Sequence, residues 1–311
     1  MSEANSVILC IGEALITLSP ADGQLLETSR SLQVSTGGAE LNVAVQLARL
    51  GLAARFAGMV GADPWGRKLV AVLEREGVDT ASMLTHPSRP TGCYLKELKP
   101  EGSSVYYYRA RSAASALGRL PRRAHDHVAH VHLSGITPAL SRACAELVRN
   151  ELHQAGSRTT SFDINYRPGL WRPQDARSVL LELARKATYV FVGLDEAHEL
   201  WGCATAGEVR DLFPATAELI VKDGHREAVA FTARGSVAAT PDPVEVVDVV
   251  GAGDAFAAGY LASRLGGVIV ESALRAGHAV AAAVIGSSTD HGCRAQVAAL
   301  APLLTEAPGA G

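Results

Sequence analysis

No two cysteines in this sequence are spaced as CxxC. The five present, Cys10, Cys93, Cys144, Cys203 and Cys293, are scattered along 311 residues. An odd, dispersed set excludes a disulfide framework as the organising device and fits reduced thiols. Blocks of like charge are missing too. Twenty-nine basic and 32 acidic residues leave a net charge of −3, with no basic stripe for nucleic acid and no acidic tail suggesting disorder. No uncharged apolar run approaches the roughly 18 residues that a bilayer span requires, and "AGHAVAAAVIGSS" is an alanine-rich stretch suited to a packed helix. The opening "MSEANSVILCIGEALITL" lacks a basic lead-in, and Gly12 and Glu13 interrupt its apolar run. It therefore reads as a first buried strand and not as a signal peptide. These absences point to a cytoplasmic protein with no nucleic-acid or membrane partner.

What is present is a regular alternation. "VILCI", "ARFAGMV", "HVHLSG", "TTSFDI", "TYVFV" and "ELIVK" read as short buried strands. Between them "AELNVAVQLARLG", "PWGRKLVAVLEREG", "SRACAELVRNELHQAG" and "PQDARSVLLELARKA" repeat apolar residues at helical spacing. Three of the four helical segments stop at a glycine (Gly51, Gly77, Gly156). Strand and helix in turn predict an α/β fold with a mostly parallel sheet covered on both faces, and ligands in such sheets bind beyond the carboxyl ends of the strands. One region breaks the rhythm. "TGCYLKELKPEGSSVYYYRA" predicts a hairpin around a Pro-Glu-Gly-Ser turn, too isolated to stand alone, and hence a flap over a site or a contact between subunits. Its three successive tyrosines, Tyr106, Tyr107 and Tyr108, place aromatics on both faces, so the flap is expected to touch something on each side.

The chemistry concentrates in "DVVGAGDAFAAGYLA", Asp248 to Ala262. Gly251 and Gly253 let the backbone approach a ligand closely, and a helix starting there aims free N–H groups outward as an anion site. A carboxylate at the mouth of an anion site makes sense if a phosphoryl group passes above the helix. The amides of Gly251, Ala252 and Gly253 would meet its developing charge, and Asp254 would take the proton of the attacking hydroxyl.

This segment resembles the C-terminal motif of the ribokinase-like (PfkB) carbohydrate kinases, and "GGAELNVAVQLARLG", Gly37 to Gly51, resembles their N-terminal motif. The resemblance runs in order over nearly the whole chain. It implies a single three-layer ribokinase-like domain, a β lid formed by about 14–36 and 90–112, ATP with Mg²⁺, and phosphorylation of a sugar hydroxyl. Within the family, "GGAELNVA", "TGCYLKEL", "VYYYRARSAASAL", "HLSGITPALS" and "DINYRPGLW" are similar to the kinases of 2-keto-3-deoxygluconate, which implies a sugar acid phosphorylated at its terminal 6-hydroxyl. By matched position Gly38 and Asn42 would contact hydroxyls of the sugar acid. Tyr94, Tyr107 and Arg109 would reach it from the lid, and Asp290 would hold a distal hydroxyl. Asn165 and Arg167 would stand at the junction with the nucleotide. An arginine fork suits a carboxylate and a tyrosine adds a neutral donor.

On the nucleotide side, "IVKDGHRE" matches the family's phosphate loop at Lys222 and Gly224. Glu227 replaces a second glycine there and is expected to point away from the phosphates. "GLDE" departs from the family at Gly193 but keeps Glu196, the acid associated with the metal through water. The flap's exposed faces suggest a homo-oligomer joined through the lid, and a monovalent cation is a further candidate cofactor. The rivals are another sugar kinase of the family, such as a fructokinase, and a catalytically inactive sensor of sugar acid and nucleotide. The histidines of "HDHVAHVH" (125, 127, 130 and 132) form no zinc motif; His130 and His132 are expected at the edge of a strand, in a structural or solvated role.

Overall fold

A computed structural model describes residues 6–99, 102–287 and 289–304. In chain order the strands are β1 (Val7–Ile11), β2 (Leu15–Pro20), β3 (Leu32–Gly37), β4 (Ala54–Ala57), β5 (Met59–Gly61), β6 (Leu84–His86), β7 (Cys93–Lys99), β8 (Gly102–Tyr108), β9 (Val128–Ser134), β10 (Thr159–Asp163), β11 (Tyr189–Gly193), β12 (Glu218–Asp223), β13 (Glu227–Thr232) and β14 (Gly235–Ala239). The helices are α1 (Ala39–Arg49), α2 (Pro64–Arg75), α3 (Thr137–Leu140), α4 (Arg142–His153), α5 (Pro173–Ala184), α6 (Leu194–Trp201), α7 (Ala206–Leu212), α8 (Ala252–Leu265), α9 (Val270–Ile285) and α10 (Arg294–Ala298).

An eight-stranded sheet runs β14-β13-β12-β11-β10-β9-β1-β4. It is parallel from β4 to β12, and β13 and β14 close that end antiparallel. Period-two alternation in β1 shows why both faces need cover. Ile8 and Cys10 join the core under α1, α2, α8 and α9, while Leu9 and Ile11 join the core under α4, α5, α6 and α7. Each buried leucine or isoleucine of this kind contributes about 1.5–3 kcal/mol. The result is the three-layer architecture that the alternation predicted.

Two expectations need correction. The run "ARFAGMV" divides at Gly58 into β4 and β5, and β5 leaves the large sheet to pair with β6. A side chain at Gly58 would stand 2.7 Å from the Gly12 carbonyl, so the chain bends where only glycine fits. His130 and His132 lie inside β9 and not at the edge of the strand. Their strand β9 is paired on both sides, and both rings are buried, hydrogen-bonded to Ser161 Oγ at 2.8 Å. Burial pushes both imidazoles down to about 3, so they pack as neutral rings.

The predicted hairpin is β7–β8, whose tip residues Pro100 and Glu101 lie outside the described residues. It does not stand alone: β2 pairs with β7, and β3 with β2, giving a second sheet ordered β3-β2-β7-β8. Leu15, Tyr94 and Tyr107 of this sheet line the cleft described next. Leu32, Val34, Tyr106 and Tyr108 are exposed.

Candidate active site

The site is built where strands of the large sheet end. Glu13 lies just past β1, Asn165 and Arg167 just past β10, and Lys222 near the end of β12. Two clefts meet at the turn leading into α8. The first is lined by Glu13, Gly38, Glu40, Asn42, Tyr94, Tyr107, Arg109, Asn165, Arg167, Gly251, Asp254 and Asp290. It gathers every residue expected at the sugar, from segments as far apart as 38 and 290. The second is lined by Lys222, Gly224, Glu227, Val244, Val246, Val249, Ala252, Gly253, Phe256 and Ile285, among others. Glu227, expected to turn away, borders this cleft and is only partly exposed.

Asp254 stands at the junction. It is buried in the first turn of α8. Asn42 Nδ2 donates to its Oδ2 at 2.7 Å, and Asn165 Nδ2 to its Oδ1 at 3.2 Å. Burial, and then the like charge of Asp163, push its carboxyl up to about 7; the Asn42 hydrogen bond, Arg167 and Lys222 act the other way. A carboxylate whose proton affinity lies near neutrality is well matched to general-base work. Asn165 reaches it from a left-handed backbone (φ 38°), an unusual conformation for a side-chain-bearing residue.

Gly251 caps α8 at φ 85°, and a side chain there would lie 2.5 Å from the Asp290 carbonyl, so the turn admits only glycine. Of the three amides expected to face a phosphoryl group, that of Ala252 is already used: it donates to the Val249 carbonyl at 3.2 Å. The helix geometry leaves Gly253 and Asp254 without i−4 acceptors, so these first-turn amides are the ones free to meet an anion. A cation stands beside them. A Cβ built on Gly253 would lie 3.4 Å from Lys222 Nζ.

Lys222 is held by Asp163, Nζ to Oδ2 at 3.0 Å, with both groups buried or nearly so. Burial lowers the lysine's proton affinity, but Asp163 and Glu196 outweigh it, so the ammonium persists. Asp163 went unnoticed in the sequence although it opens the quoted "DINYR". Glu196 spends each oxygen on a main-chain donor, Tyr166 N and Gly193 N, both at 2.9 Å, and Arg167 lies 3.7 Å away. Burial, then Asp163, push its carboxyl up to about 7.

Around the first cleft stand further charged residues that spacing did not single out, Glu13, Glu40, Lys96 and Asp248 among them. Arg109 Nη1 lies 3.1 Å from Glu13 Oε2, yet its Nε and Nη2 are buried without a hydrogen-bond partner. Its guanidinium stacks 4.5 Å from the Tyr107 ring. Asp290, expected to hold a sugar hydroxyl, is engaged inside the protein. Tyr94 Oη donates to one of its oxygens, and Lys96 Nζ lies 2.8 Å from the other. Lys96 also pairs with Asp248 at 2.6 Å, tying the smaller sheet to the first residue of the glycine-rich motif. Glu13, Lys96 and Asp248 find their partners at long range, which no local pattern announces.

A carboxyl poised near neutrality, amides and an ammonium beside one cleft, and a guanidinium with unspent buried donors beside the adjoining one suit phosphoryl transfer to a small polar acceptor. Known proteins agree. The pattern of the pfkB family carbohydrate kinases matches residues 5–296. A 2-dehydro-3-deoxygluconokinase of Bacillus subtilis is 37% identical over 257 residues, covering 79% of this chain and 79% of that protein. A 2-dehydro-3-deoxygalactonokinase of Haloferax volcanii is 34% identical over 294 residues, covering 88% and 89%. The crystal structure of a PfkB protein from Polaromonas sp. JS666 superposes with a TM-score of 0.83 at 32% identity, covering 94% of this chain and 99% of that one. Sequence, fold and site thus converge, and the chain belongs to the pfkB family of carbohydrate kinases.

Proposed function

We propose that this kinase transfers the γ-phosphoryl group of ATP to the terminal 6-hydroxyl of 2-keto-3-deoxygluconate, giving the 6-phosphate. The sugar acid occupies the first cleft and the nucleotide the second. Asp254 accepts the hydroxyl proton, while the amides of Gly253 and Asp254, with Lys222, receive the charge on the moving phosphoryl oxygens. Mg²⁺ fits the hard oxygens near Lys222: Asp163 Oδ1 is buried with no hydrogen-bond partner, and Glu196 lies close. Bound there through water, it would neutralise charge on the β- and γ-phosphates.

Arg109 carries the sugar-acid reading. A guanidinium with two buried, unspent nitrogens beside a polar cleft calls for an anion, and a neutral hexose has none. Arg167, half exposed at the same cleft, adds a second cation. A panel of candidate acceptors with ATP, read by ADP release, should give 2-keto-3-deoxygluconate or its galactonate counterpart a kcat/KM at least a hundredfold above fructose, ribose or gluconate. Preference for a neutral sugar would instead place the chain among the fructokinases of the family.

The rate should also report the base. Asp254 is active when ionised, and its carboxyl is held up near 7. The kcat–pH profile should therefore rise through about pH 7 and level above it. A plateau extending down to pH 5 would remove Asp254 from that role.

The smaller sheet is, in this reading, a lid that shuts water out of the clefts. Its exposed Leu32, Val34, Tyr106 and Tyr108 form the face by which two copies join. Light scattering should give twice the chain mass, and Tyr106→Lys with Tyr108→Lys should return it to one. An unmodified chain that scatters as a monomer would exclude the interface.

A further inference from the structure

Behind the base lies a second chain of buried groups that the mechanism does not use. The loop after α9 brings His291 against α1, where it is buried with its Nε2 2.8 Å from Asn42 Oδ1. Asn42 in turn donates to Asp254 Oδ2 at 2.7 Å. The polarity of this chain is fixed from one end. An ionised carboxylate accepts only, so the amide nitrogen of Asn42 must face Asp254, and its carbonyl must face His291. A carbonyl cannot donate, so the imidazole presents Nε2–H to it.

The loop itself is pinned. Gln46 Nε2 donates to the His291 carbonyl at 2.9 Å, and Arg49 donates to the same oxygen. Charged groups press on both ends of the relay. Asp163, Arg167 and Lys222 face Asp254. Asp290, Arg49, Glu76 and Lys96 surround His291, whose burial nevertheless keeps the ring neutral, with its affinity pushed down to about 4.

We propose that His291 is a positioning residue of phosphoryl transfer: through Asn42 it holds a hydrogen-bond donor on Asp254 Oδ2 throughout the reaction. This rests on Asp254 being the base. Its use arises when the base has taken the hydroxyl proton. A neutral carboxylic acid no longer forces the orientation of Asn42, and a freely turning amide could offer its carbonyl to the new O–H and trap the proton. Nε2–H of His291 forbids that turn, because a flipped amide would oppose one donor with another. The proton is then taken up at Oδ1, where the Asn165 donor is longer at 3.2 Å, and is readily given back.

Two polar variants separate this role from simple packing. His291→Gln places an amide N–H where Nε2–H stood, whereas His291→Asn ends a bond short. His291→Met, which fills the space without a donor, supplies the same reading if the asparagine variant does not fold. The donor-less variant should lose about tenfold in kcat with KM for ATP unchanged, and the rising limb of its kcat–pH profile should move up by roughly one pH unit, since an amide free to turn gives the neutral acid a carbonyl acceptor and so favours the protonated form. His291→Gln should restore both. Asp254→Asn is measured alongside: if that variant turns over normally, the base reading falls and this inference with it. If Asp254→Asn is inactive while the donor-less variant keeps the parent kcat and pH limb, or if the two polar variants lose activity equally with the limb unmoved, the positioning role alone is overturned.

Discussion

Replacing Asp254 with asparagine should lower kcat by roughly 10²- to 10⁴-fold, the range over which a positioned general base acts, while leaving ATP binding within a few-fold of the parent. Asparagine keeps the shape: its carbonyl can accept from Asn42, and its amide can donate to Asn165 once that side chain turns its unspent Oδ1 inward, so the fold should survive. What it cannot do is receive a proton, and the attacking hydroxyl is a poor nucleophile without that transfer. Removal of a buried carboxyl also removes a desolvation burden, so the thermal midpoint should hold or rise. Activity near that of the parent would mean that the hydroxyl loses its proton to another group, and the role of the α8 turn would then be confined to holding phosphate.

Arg109→Ala should cost at least a hundredfold in kcat/KM for the sugar acid. Two charge-assisted hydrogen bonds are lost, each worth about 1.5–3 kcal/mol. A neutral sugar phosphorylated slowly by the same enzyme should lose far less, because it has no carboxylate to leave unpaired. Stability complicates this variant. Glu13 would stay buried without its cation, and breaking a buried pair from one side costs about 3–5 kcal/mol. Burial already pushes the Glu13 carboxyl up to about 7, with Arg109 the main force opposing it, so in the variant it would take up a proton and bury a neutral acid. The double change Glu13→Gln with Arg109→Ala should therefore recover most of the melting temperature but not the sugar-acid activity. Equal losses for acidic and neutral acceptors would show that Arg109 acts through packing on Tyr107 and not through the substrate's carboxylate.

The parts of the site that the sequence disclosed are those whose signals are local. "GAGD" places two glycines and an acid within four residues, and a helix start forces them to share one turn. The α1 segment declares itself by apolar spacing and by the paired glycines before it, one of which, Gly38, has φ 135° and no room for a side chain beside the Glu13 carbonyl. The second sheet was legible as a break in rhythm. Hidden were the relationships that only folding creates. Asp290 had been expected to bond the substrate, but β7 carries Lys96 and Tyr94 against it across nearly two hundred residues. Asp163 carries no local signal, since nothing nearby in sequence shows that Lys222 will be buried and will need a partner. Nothing local announces the burial of His130 and His132, because a parallel sheet orders its strands by crossover connections, and β9 gains β10 on one side and β1 on the other only when these are made.

Transfer by this route requires an acceptor hydroxyl to meet a phosphate at Asp254. A crystal structure of the ternary complex with 2-keto-3-deoxygluconate and a non-hydrolysable ATP analogue measures that directly. The terminal hydroxyl should lie about 3 Å from Asp254 Oδ1, the reach of a general base, with the γ-phosphate over the first-turn amides of α8 and the sugar carboxylate on Arg109. A terminal hydroxyl remote from Asp254, or a triphosphate docked away from Lys222 and Gly253, would contradict it.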